Sequence, residues 1–374
     1  MPETLSDVCE EIVDCVNRTA PESPDGPYLL VGTPAMRGNI IDESQARMVS
    51  AETFQAWTRR LTPRAGDLLL AREAPVGPVV IIPEGGNIGA GQRTTHLRAN
   101  PSRIHNRFLY YALTAPATQE RLIGRAMGST VAHLRVADIK SFELPTLPPL
   151  PEQQAIAEVL GALDDKIAAN TRLAATAWEL IQGSFQLIQR TNTSRMRLSD
   201  VATLEYGKAL PAAAREPGDV AVVGSGGVSG SHSQALVTES GVVVGRKGSA
   251  GAVHWITGPH FPIDTTFFVR GSAPEFSQPY LYCLLRTLRL NEMNNDSAVP
   301  GLNRNEALAL PVKVPSAGAL LRFDHAAQAL LGLIDATSKE NRTLAATRDA
   351  LLPKLMSGQL RVKNAEKILS EVGV

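Results

Sequence analysis

Residues 159–165 read Val-Leu-Gly-Ala-Leu-Asp-Asp, and residues 330–336, 171 positions later, read Leu-Leu-Gly-Leu-Ile-Asp-Ala. In the same register, Asn-Thr-Arg-Leu-Ala-Ala-Thr at 170–176 returns as Asn-Arg-Thr-Leu-Ala-Ala-Thr at 341–347. Repeats of about 20–50 residues indicate solenoids or propellers. A single duplication with a period near half of the 374 residues instead predicts two homologous halves related by a pseudo-twofold axis.

The repeat extends well beyond these two segments. Leu-Ser-Asp-Val occurs at 5–8 and again at 198–201, and the aromatic run 108–113 resembles 280–285. The segment 129–134 likewise resembles 297–302. Because the matches keep their order, each half is predicted to be a globular module followed by a helix.

Both modules are predicted to be mixed α/β. Short apolar runs after glycine, at 66–72 and 241–247, are typical of strands, and 79–83 and 267–269 are β-rich as well. Residues 107–114 and 279–290 have apolar positions three and four apart, which favours helices.

Each module is followed by a long heptad pattern. The first helix is predicted to start near Pro151, since proline is tolerated in the first turn of a helix. Apolar positions alternate spacings of four and three in both segments, with Asn170 and Asn341 as polar interruptions that can set the register. A long core helix would show a wider apolar stripe, so an antiparallel two-helix coiled coil is favoured. At about 38 residues, each helix would be about 55–60 Å long.

Composition excludes several classes of protein. Three cysteines and no Cys-x-x-Cys argue against a disulfide framework or a zinc site. The first residues lack a secretory signature, and no apolar run is long enough to span a bilayer, so a cytoplasmic protein without a membrane segment is expected. Net charge is zero, yet residues 59–135 contain eleven arginines, no lysine and only four acidic residues. Arginine suits bidentate contacts to phosphate and guanine.

No catalytic or metal centre is predicted. The glycine-rich segment 224–230 resembles a dinucleotide-binding turn, but no helix start follows it, so a flexible surface loop is the favoured interpretation. Gly245-Arg246-Lys247-Gly248-Ser249 lacks the order of a phosphate-binding P-loop. His254 and His260 lack a metal-ligand spacing.

Basic and polar residues after the short strands favour nucleic acid as the ligand. Such side chains read base edges and phosphates, and they recur at matched places in both halves. The candidate DNA contacts are Arg72, Gln92, Arg93, Ser129, Thr130, Arg135, Arg246, Lys247, Ser297, Asn303 and Arg304.

Four segments together resemble one known family. Residues 144–157, with Pro148-Pro149-Leu150-Pro151-Glu152-Gln153-Gln154, and the Leu163–Ile167 segment are similar to the central conserved region of type I restriction–modification specificity subunits. Residues 351–360 resemble the end of their second conserved region, and residues 128–139 are typical of a target-recognition domain of this family. The second half departs from this pattern, because 314–319 has no Glu-Gln.

The resemblance implies two target-recognition domains, 1–147 and 195–315, each reading half of a bipartite site in double-stranded DNA. Spacer helices at 148–194 and 316–374, the latter with the C-terminal tail, would set the gap and dock two methyltransferase subunits. The helix residues expected at these interfaces are Glu152, Gln153, Ile156, Leu160, Leu163, Ile167, Leu330, Ile334, Leu344 and Leu351.

The same resemblance implies that this chain holds no cofactor and carries out no catalysis, with S-adenosylmethionine bound by the partner methyltransferase. It leaves open whether an endonuclease–translocase subunit joins the complex. Two alternatives remain at the level of sequence: a coiled-coil adaptor without DNA binding, and an enzyme that binds a nucleotide cofactor at Gly224–Gly230.

Overall fold

The computed structural model describes residues 3–128, 132–190, 193–293 and 301–373. The chain divides into two compact units: unit 1 comprises Met1–Ala168 and Asn341–Val374, and unit 2 comprises Ala169–Glu340. Each unit therefore includes part of both long helices. The four-segment division expected from the sequence, with separate spacer helices, stays a prediction.

The helices in the described residues are α1 (Leu5–Val8), α2 (Ala51–Thr58), α3 (Asn106–Thr114), α4 (Pro116–Gly124), α5 (Val136–Lys140), α6 (Leu150–Gln189), α7 (Leu198–Val201), α8 (Gln278–Thr287), α9 (Arg304–Leu308), α10 (Ala317–Met356) and α11 (Val362–Glu371). The strands are β1 (Cys9–Asp14), β2 (Tyr28–Val31), β3 (Arg47–Val49), β4 (Leu68–Arg72), β5 (Val76–Ile81), β6 (Ile88–Ala90), β7 (Thr94–Ala99), β8 (Thr193–Arg197), β9 (Ala202–Tyr206), β10 (Val220–Gly224), β11 (Gly227–His232), β12 (Gly241–Gly245), β13 (Val253–Ile256), β14 (His260–Pro262), β15 (Thr266–Gly271) and β16 (Pro311–Pro315). The mixed α/β class predicted from the sequence is confirmed.

The two units repeat one sheet topology. Unit 1 has an antiparallel sheet in the order β1-β7-β4-β5, and unit 2 has the same order in β9-β15-β12-β13. A second sheet, β3-β2-β6, pairs one antiparallel and one parallel neighbour, and β11-β10-β14 does the same in unit 2. The duplication inferred from short sequence matches thus extends through both sheets.

The central strands are buried on both faces, which explains their continuous apolar runs. In β4, Leu68 and Leu70 point into the large core of unit 1, whereas Leu69 and Ala71 enter a smaller core on the other face. In β12, Val242 and Val244 lie in the large core of unit 2, and Val243 lies in the small one. This alternation follows from the two-residue period of a strand.

The two long helices, each of 40 residues, run antiparallel to each other within each unit. In unit 1, Asn341 Nδ2 donates to the carbonyl oxygen of Ile167 (3.4 Å). Two helical turns after Asn341, Arg348 Nη1 donates to Asp164 Oδ1, which lies one turn before Ile167 in α6. In unit 2, Asn170 Nδ2 donates to Glu340 Oε2 (2.7 Å), and Phe185 packs against Phe323. The predicted seam is confirmed, and both asparagines take part in contacts between the helices.

The repeated Gly-x-x-Asp motif anchors α6 in unit 1. Arg107 donates to both oxygens of Asp165 (2.9 and 2.7 Å) and to the carbonyl oxygen of Gly161 (3.0 Å). A Cβ atom at Gly161 would lie 2.6 Å from the guanidinium carbon of Arg107, so glycine is needed for this approach. Asp164 accepts hydrogen bonds from Tyr111 (2.6 Å) and Arg348 (2.8 Å), which joins α3, α6 and α10.

The two helices begin differently. Gln153 is buried; its side chain accepts a hydrogen bond from the His105 backbone (2.9 Å) and donates to the Pro148 carbonyl oxygen (2.9 Å). The second helix, which lacks Glu-Gln, begins at Ala317, and Ser316 accepts the first helical hydrogen bonds from the backbone of Ala319 and Leu320.

Candidate DNA interface

The strand ends at Arg72 and Arg246 are equivalent in the two units. The Arg72 carbonyl oxygen accepts from Leu134 N (2.8 Å), as the Arg246 carbonyl oxygen accepts from Leu302 N (2.9 Å). Two residues before these arginines, Leu70 pairs with Thr95 and Val244 pairs with Phe267, so Thr95 and Phe267 are equivalent. Asp14 pairs with Thr95 and Tyr206 pairs with Phe267, so Asp14 is the counterpart of Tyr206. The repeat therefore offers the same framework with different side chains.

Arg72 is buried within unit 1. Its Nε donates to Asp14 Oδ1 (2.9 Å) and its Nη2 to Asp14 Oδ2 (3.4 Å), and only 11% of the side chain is exposed. The guanidinium of Arg72 is therefore already paired with a carboxylate of the same unit. The DNA contact proposed for Arg72 stays a prediction, and this geometry favours a structural role.

Gln92 and Arg93 lie in a tight turn before β7, where Arg93 has a positive φ of 67°. Arg93 pairs with Glu73 (3.2 Å) and remains 44% exposed. Both residues line a cavity of about 330 Å³ in unit 1, together with Arg18, whose guanidinium lies 4.9 Å from the ring centroid of Trp57. Arg18 and Trp57 could not be predicted as part of this site from the sequence, since no motif connects them to Gln92 and Arg93, which are some 35–75 positions away.

Arg135 precedes α5 and is well exposed. It donates from Nε and Nη2 to the carboxylate of Asp138 (2.8 and 2.9 Å), and this hydrogen bond lowers the pKa of Asp138. All three candidate arginines of unit 1 therefore have a carboxylate partner within that unit.

The candidates in unit 2 converge on one surface. Lys247 and Gly301 form a β-bridge, which places Asn303 and Arg304 beside the end of β12. Asn303 caps α9, because its Oδ1 accepts from the backbone of Asn305 (3.0 Å) and Glu306 (3.4 Å). The structure thus brings Arg246, Lys247, Asn303 and Arg304 together.

The residue at the centre of this surface is Tyr206, which is not among the candidates predicted from the sequence. It ends β9 and is 51% exposed. The guanidinium carbons of Arg246 and Arg304 lie 4.9 and 5.6 Å from its ring centroid. The remaining candidates, Ser129, Thr130 and Ser297, lie outside the described residues.

The helix residues expected at partner interfaces differ in exposure. Glu152 is exposed, whereas Gln153 is used inside unit 1. Ile156, Leu160, Leu163, Leu344 and Leu351 are buried in the unit 1 core, with Ile167 partly buried against it, and Leu330 and Ile334 pack partly buried against the core of unit 2. These apolar positions hold the helices within each unit.

The glycine-rich segment 224–230 is a β-hairpin and not a flexible loop. Strands β10 and β11 pair antiparallel around Ser225 and Gly226, and Gly227 and Gly230 adopt the positive φ that the hairpin requires. No helix opens after this turn, so the geometry needed to bind a dinucleotide pyrophosphate is missing. The nucleotide-cofactor alternative is therefore not favoured.

His254 and His260 are engaged by backbone carbonyl oxygens, those of Ser225 (2.8 Å) and Gly258 (3.0 Å). Over the described ranges, no group of three or more His, Cys, Asp or Glu side chains is arranged to hold a metal ion. Within the same ranges, no helix combines the length and apolar character needed to cross a membrane.

Comparison with known proteins shows similarity to type I restriction–modification specificity subunits. Residues 26–176 match the type I restriction modification DNA specificity domain. The specificity subunit of the type I restriction enzyme MjaIX from Methanocaldococcus jannaschii is 24% identical over 362 positions, covering 85% of this chain and 82% of the relative. A putative type I specificity subunit from Mycoplasma genitalium is 25% identical over 299 positions, covering 72% and 76%.

A solved structure shows that the fold is shared as well. The crystal structure of a type I restriction–modification S subunit from M. genitalium aligns with a TM-score of 0.64 at 20% identity, over 95% of both chains. This likeness concerns the arrangement of the backbone, whereas the family match and the relatives concern the sequence. The sequence matches therefore show similarity to type I restriction–modification specificity subunits over most of the chain, and the solved structure shows that the fold is shared.

Proposed function

We propose that this chain selects the DNA sites of a type I restriction–modification complex, with each unit reading one half of a bipartite, asymmetric duplex site. The observation that carries the proposal is the repeated topology with different side chains at equivalent strand ends. Asp14 and Arg72 in unit 1 correspond to Tyr206 and Arg246 in unit 2. Two similar frameworks with different surfaces suit two half-sites of different sequence.

The same proposal assigns catalysis to partner subunits. Specificity subunits are a non-catalytic component of these systems, and we expect two methyltransferase subunits to dock on the helices and to bind S-adenosylmethionine. The exposed Glu152, at the start of α6, remains available for such a contact, whereas the buried Gln153 does not. The complex would serve DNA methylation and, with an endonuclease subunit, defence against phage.

Methylation sequencing tests the proposal directly. The chain and its methyltransferase are expressed together in cells that lack other adenine methylation, and the genome is read for methylated adenine. A bipartite motif with an unread gap is expected, and neither protein expressed alone should produce it. Absence of any motif from an assembled, stable complex would contradict the proposal.

Salt dependence separates DNA reading from the adaptor alternative. Binding of the complex to duplex DNA should weaken steeply as salt rises, because phosphate contacts release counterions. An adaptor would show no affinity for duplex DNA at any salt concentration.

A further inference from the structure

Unit 2 presents an aromatic ring with two guanidinium groups stacked on it. Tyr206 is half-exposed, and its ring packs against buried Phe267, with the ring centroids 5.0 Å apart. Arg246 and Arg304 lie over the ring at 4.9 and 5.6 Å. Stacking of this kind restricts a guanidinium and leaves its N–H edge available to donate.

Three separate chain segments build this arrangement. Tyr206 comes from β9, Arg246 follows β12, and Arg304 opens α9. Gly207, which follows Tyr206, allows the chain to pass close to the segment between β14 and β15. A Cβ atom at this position would lie 2.1 Å from the carbonyl oxygen of Ile263. The backbone bond from Leu302 to Arg246 then ties the approach to α9 to the end of β12.

The positive charge of this cluster is not neutralised by the surrounding protein. Within the described residues, no carboxylate forms an ion pair with Arg246, Lys247 or Arg304. Arg246 Nη1 donates to the carbonyl oxygen of Asp264 (3.0 Å), and Arg304 Nε is buried without a hydrogen-bond partner there. Like charges held close together repel, so this arrangement suits a ligand that supplies acceptor atoms.

The equivalent place in unit 1 is closed. Asp14 replaces Tyr206 and forms an ion pair with buried Arg72, and Val136 stands where α9 has Arg304. The framework is the same, but one unit satisfies its arginine internally and the other keeps two guanidinium groups at the surface. The stack is therefore not a requirement of the fold.

We infer that Tyr206, Arg246 and Arg304 form a base-reading site of unit 2, in which Tyr206 holds the two guanidinium groups toward a guanine in the half-site that this unit reads. The inference rests on the proposed function. Guanine presents two acceptors, N7 and O6, in the major groove, and a guanidinium edge matches them with two parallel hydrogen bonds. Tyr206 is a positioning residue, since its ring orients the donors.

The test measures binding of the intact complex to a duplex carrying the site found by methylation sequencing. A panel of duplexes replaces each base pair of both half-sites in turn. For Arg246→Ala and Arg304→Ala, affinity for the cognate duplex should fall about 10- to 100-fold, and the preference for guanine should disappear at positions in one half-site only. Tyr206→Ala should weaken the same preference, and Tyr206→Phe, which keeps the ring, should restore it.

Arg270 provides a matched control in the same unit. It stacks over Phe268 at 5.4 Å, but it is paired with Glu205 (3.1 Å), so Arg270→Ala should leave the preference unchanged. Thermal unfolding of each variant verifies that unit 2 stays folded.

Three results would overturn the inference. A uniform loss over all duplexes, with the salt slope reduced by about one, would assign the arginines to phosphate contacts. Unchanged discrimination in the folded Tyr206, Arg246 and Arg304 variants would show that this surface faces away from DNA. If the unaltered complex showed no preference among the duplexes, the proposed function itself would fail, and the inference with it.

Discussion

At the scale of single residues, the same sequence signal has two different outcomes. An apolar strand followed by arginine predicts a basic residue at the surface, and at Arg246 the structure has one. At Arg72 the guanidinium turns inward to Asp14, 58 positions earlier in the chain. The sequence could not show this, because the partner comes from a strand that joins the sheet only through tertiary pairing.

Arg72→Ala should destabilise unit 1 by about 1–3 kcal/mol, because it leaves the half-buried carboxylate of Asp14 without its donor. Arg47 is the control, since its pair with Glu22 is exposed on both sides (40% and 62%), and Arg47→Ala should cost less than about 1 kcal/mol. Denaturant unfolding of the two variants gives the comparison. An Arg72→Ala protein of unaltered stability that has lost discrimination in one half-site would assign this residue to DNA instead.

The Asp67 carboxylate should make the stability of unit 1 depend on acid pH. Burial by itself raises the pKa of Asp67, but hydrogen bonds from His96 (2.8 Å) and Arg98 (2.7 and 3.0 Å) outweigh it and lower the pKa from 3.8 to about 2. A carboxylate with a lowered pKa stabilises the fold above its ordinary pKa, and this contribution is lost as pH falls toward 2.

Amide hydrogen exchange in β4 and β7 measures this effect. Protection of the unaltered chain should exceed that of Asp67→Asn by about 2 kcal/mol above pH 5, and the difference should shrink between about pH 4 and pH 2. Asp25→Asn, at an exposed carboxylate, should leave protection unchanged. A difference that stays constant with pH would mean that charge at Asp67 does not matter.

At the scale of elements, the long helices were the most predictable part of the chain. The four-three spacing located the seam, and Pro151 located the first helix start within one residue of Leu150. What the spacing could not show is how the helices attach to the sheets. In unit 1, Arg107 and Tyr111 of α3 bind the Asp164-Asp165 pair, whereas in unit 2 aromatic contacts among Trp178, Trp255 and Tyr282 join the helix to the sheet.

This difference predicts unequal effects at two aspartates that the repeat aligns. Asp164→Ala removes the acceptor of Tyr111 and Arg348, and it should cost about 2–4 kcal/mol in unit 1, since Tyr111 is fully buried and Arg348 is partly buried. Asp335→Ala removes only a pair with Lys339, whose side chain is 70% exposed, and should cost less than about 1 kcal/mol. Denaturant unfolding of both variants measures the loss of stability in each. Equal losses would show that the polar network does not hold the helices.

At the scale of the whole molecule, the duplication could be predicted from a few short matches such as Leu5–Val8 with Leu198–Val201. The glycine-rich segment at 224–230 was harder to interpret, because its hairpin depends on β10 pairing with both β11 and β14. Only part of the candidate site could be predicted from the sequence, for the same reason. Basic residues next to a strand end were found, but Tyr206 and Trp57 were not, since only the fold places them beside those residues.

Lengthening both helices should lengthen the unread gap in the DNA site, if the helices set the distance between the two half-sites as the resemblance to specificity subunits implies. The unit boundaries fall within α6, after Ala168, and within α10, after Glu340. Four residues inserted at each boundary add about 6 Å of helix, or one to two base pairs at about 3.4 Å each. Four residues also nearly preserve the helical phase at about 3.6 per turn, so the seam can form again.

Methylation sequencing of this double insertion should show both half-sites unchanged and a longer gap between them. An insertion in α6 alone is the control: it shifts one helix against the other by about one turn and should abolish methylation, because the seam residues no longer meet. An active double insertion with an unaltered gap would show that the helices do not determine the spacing. The gap between the half-sites would then have to be set by the sheets and loops, which have the same topology in both units.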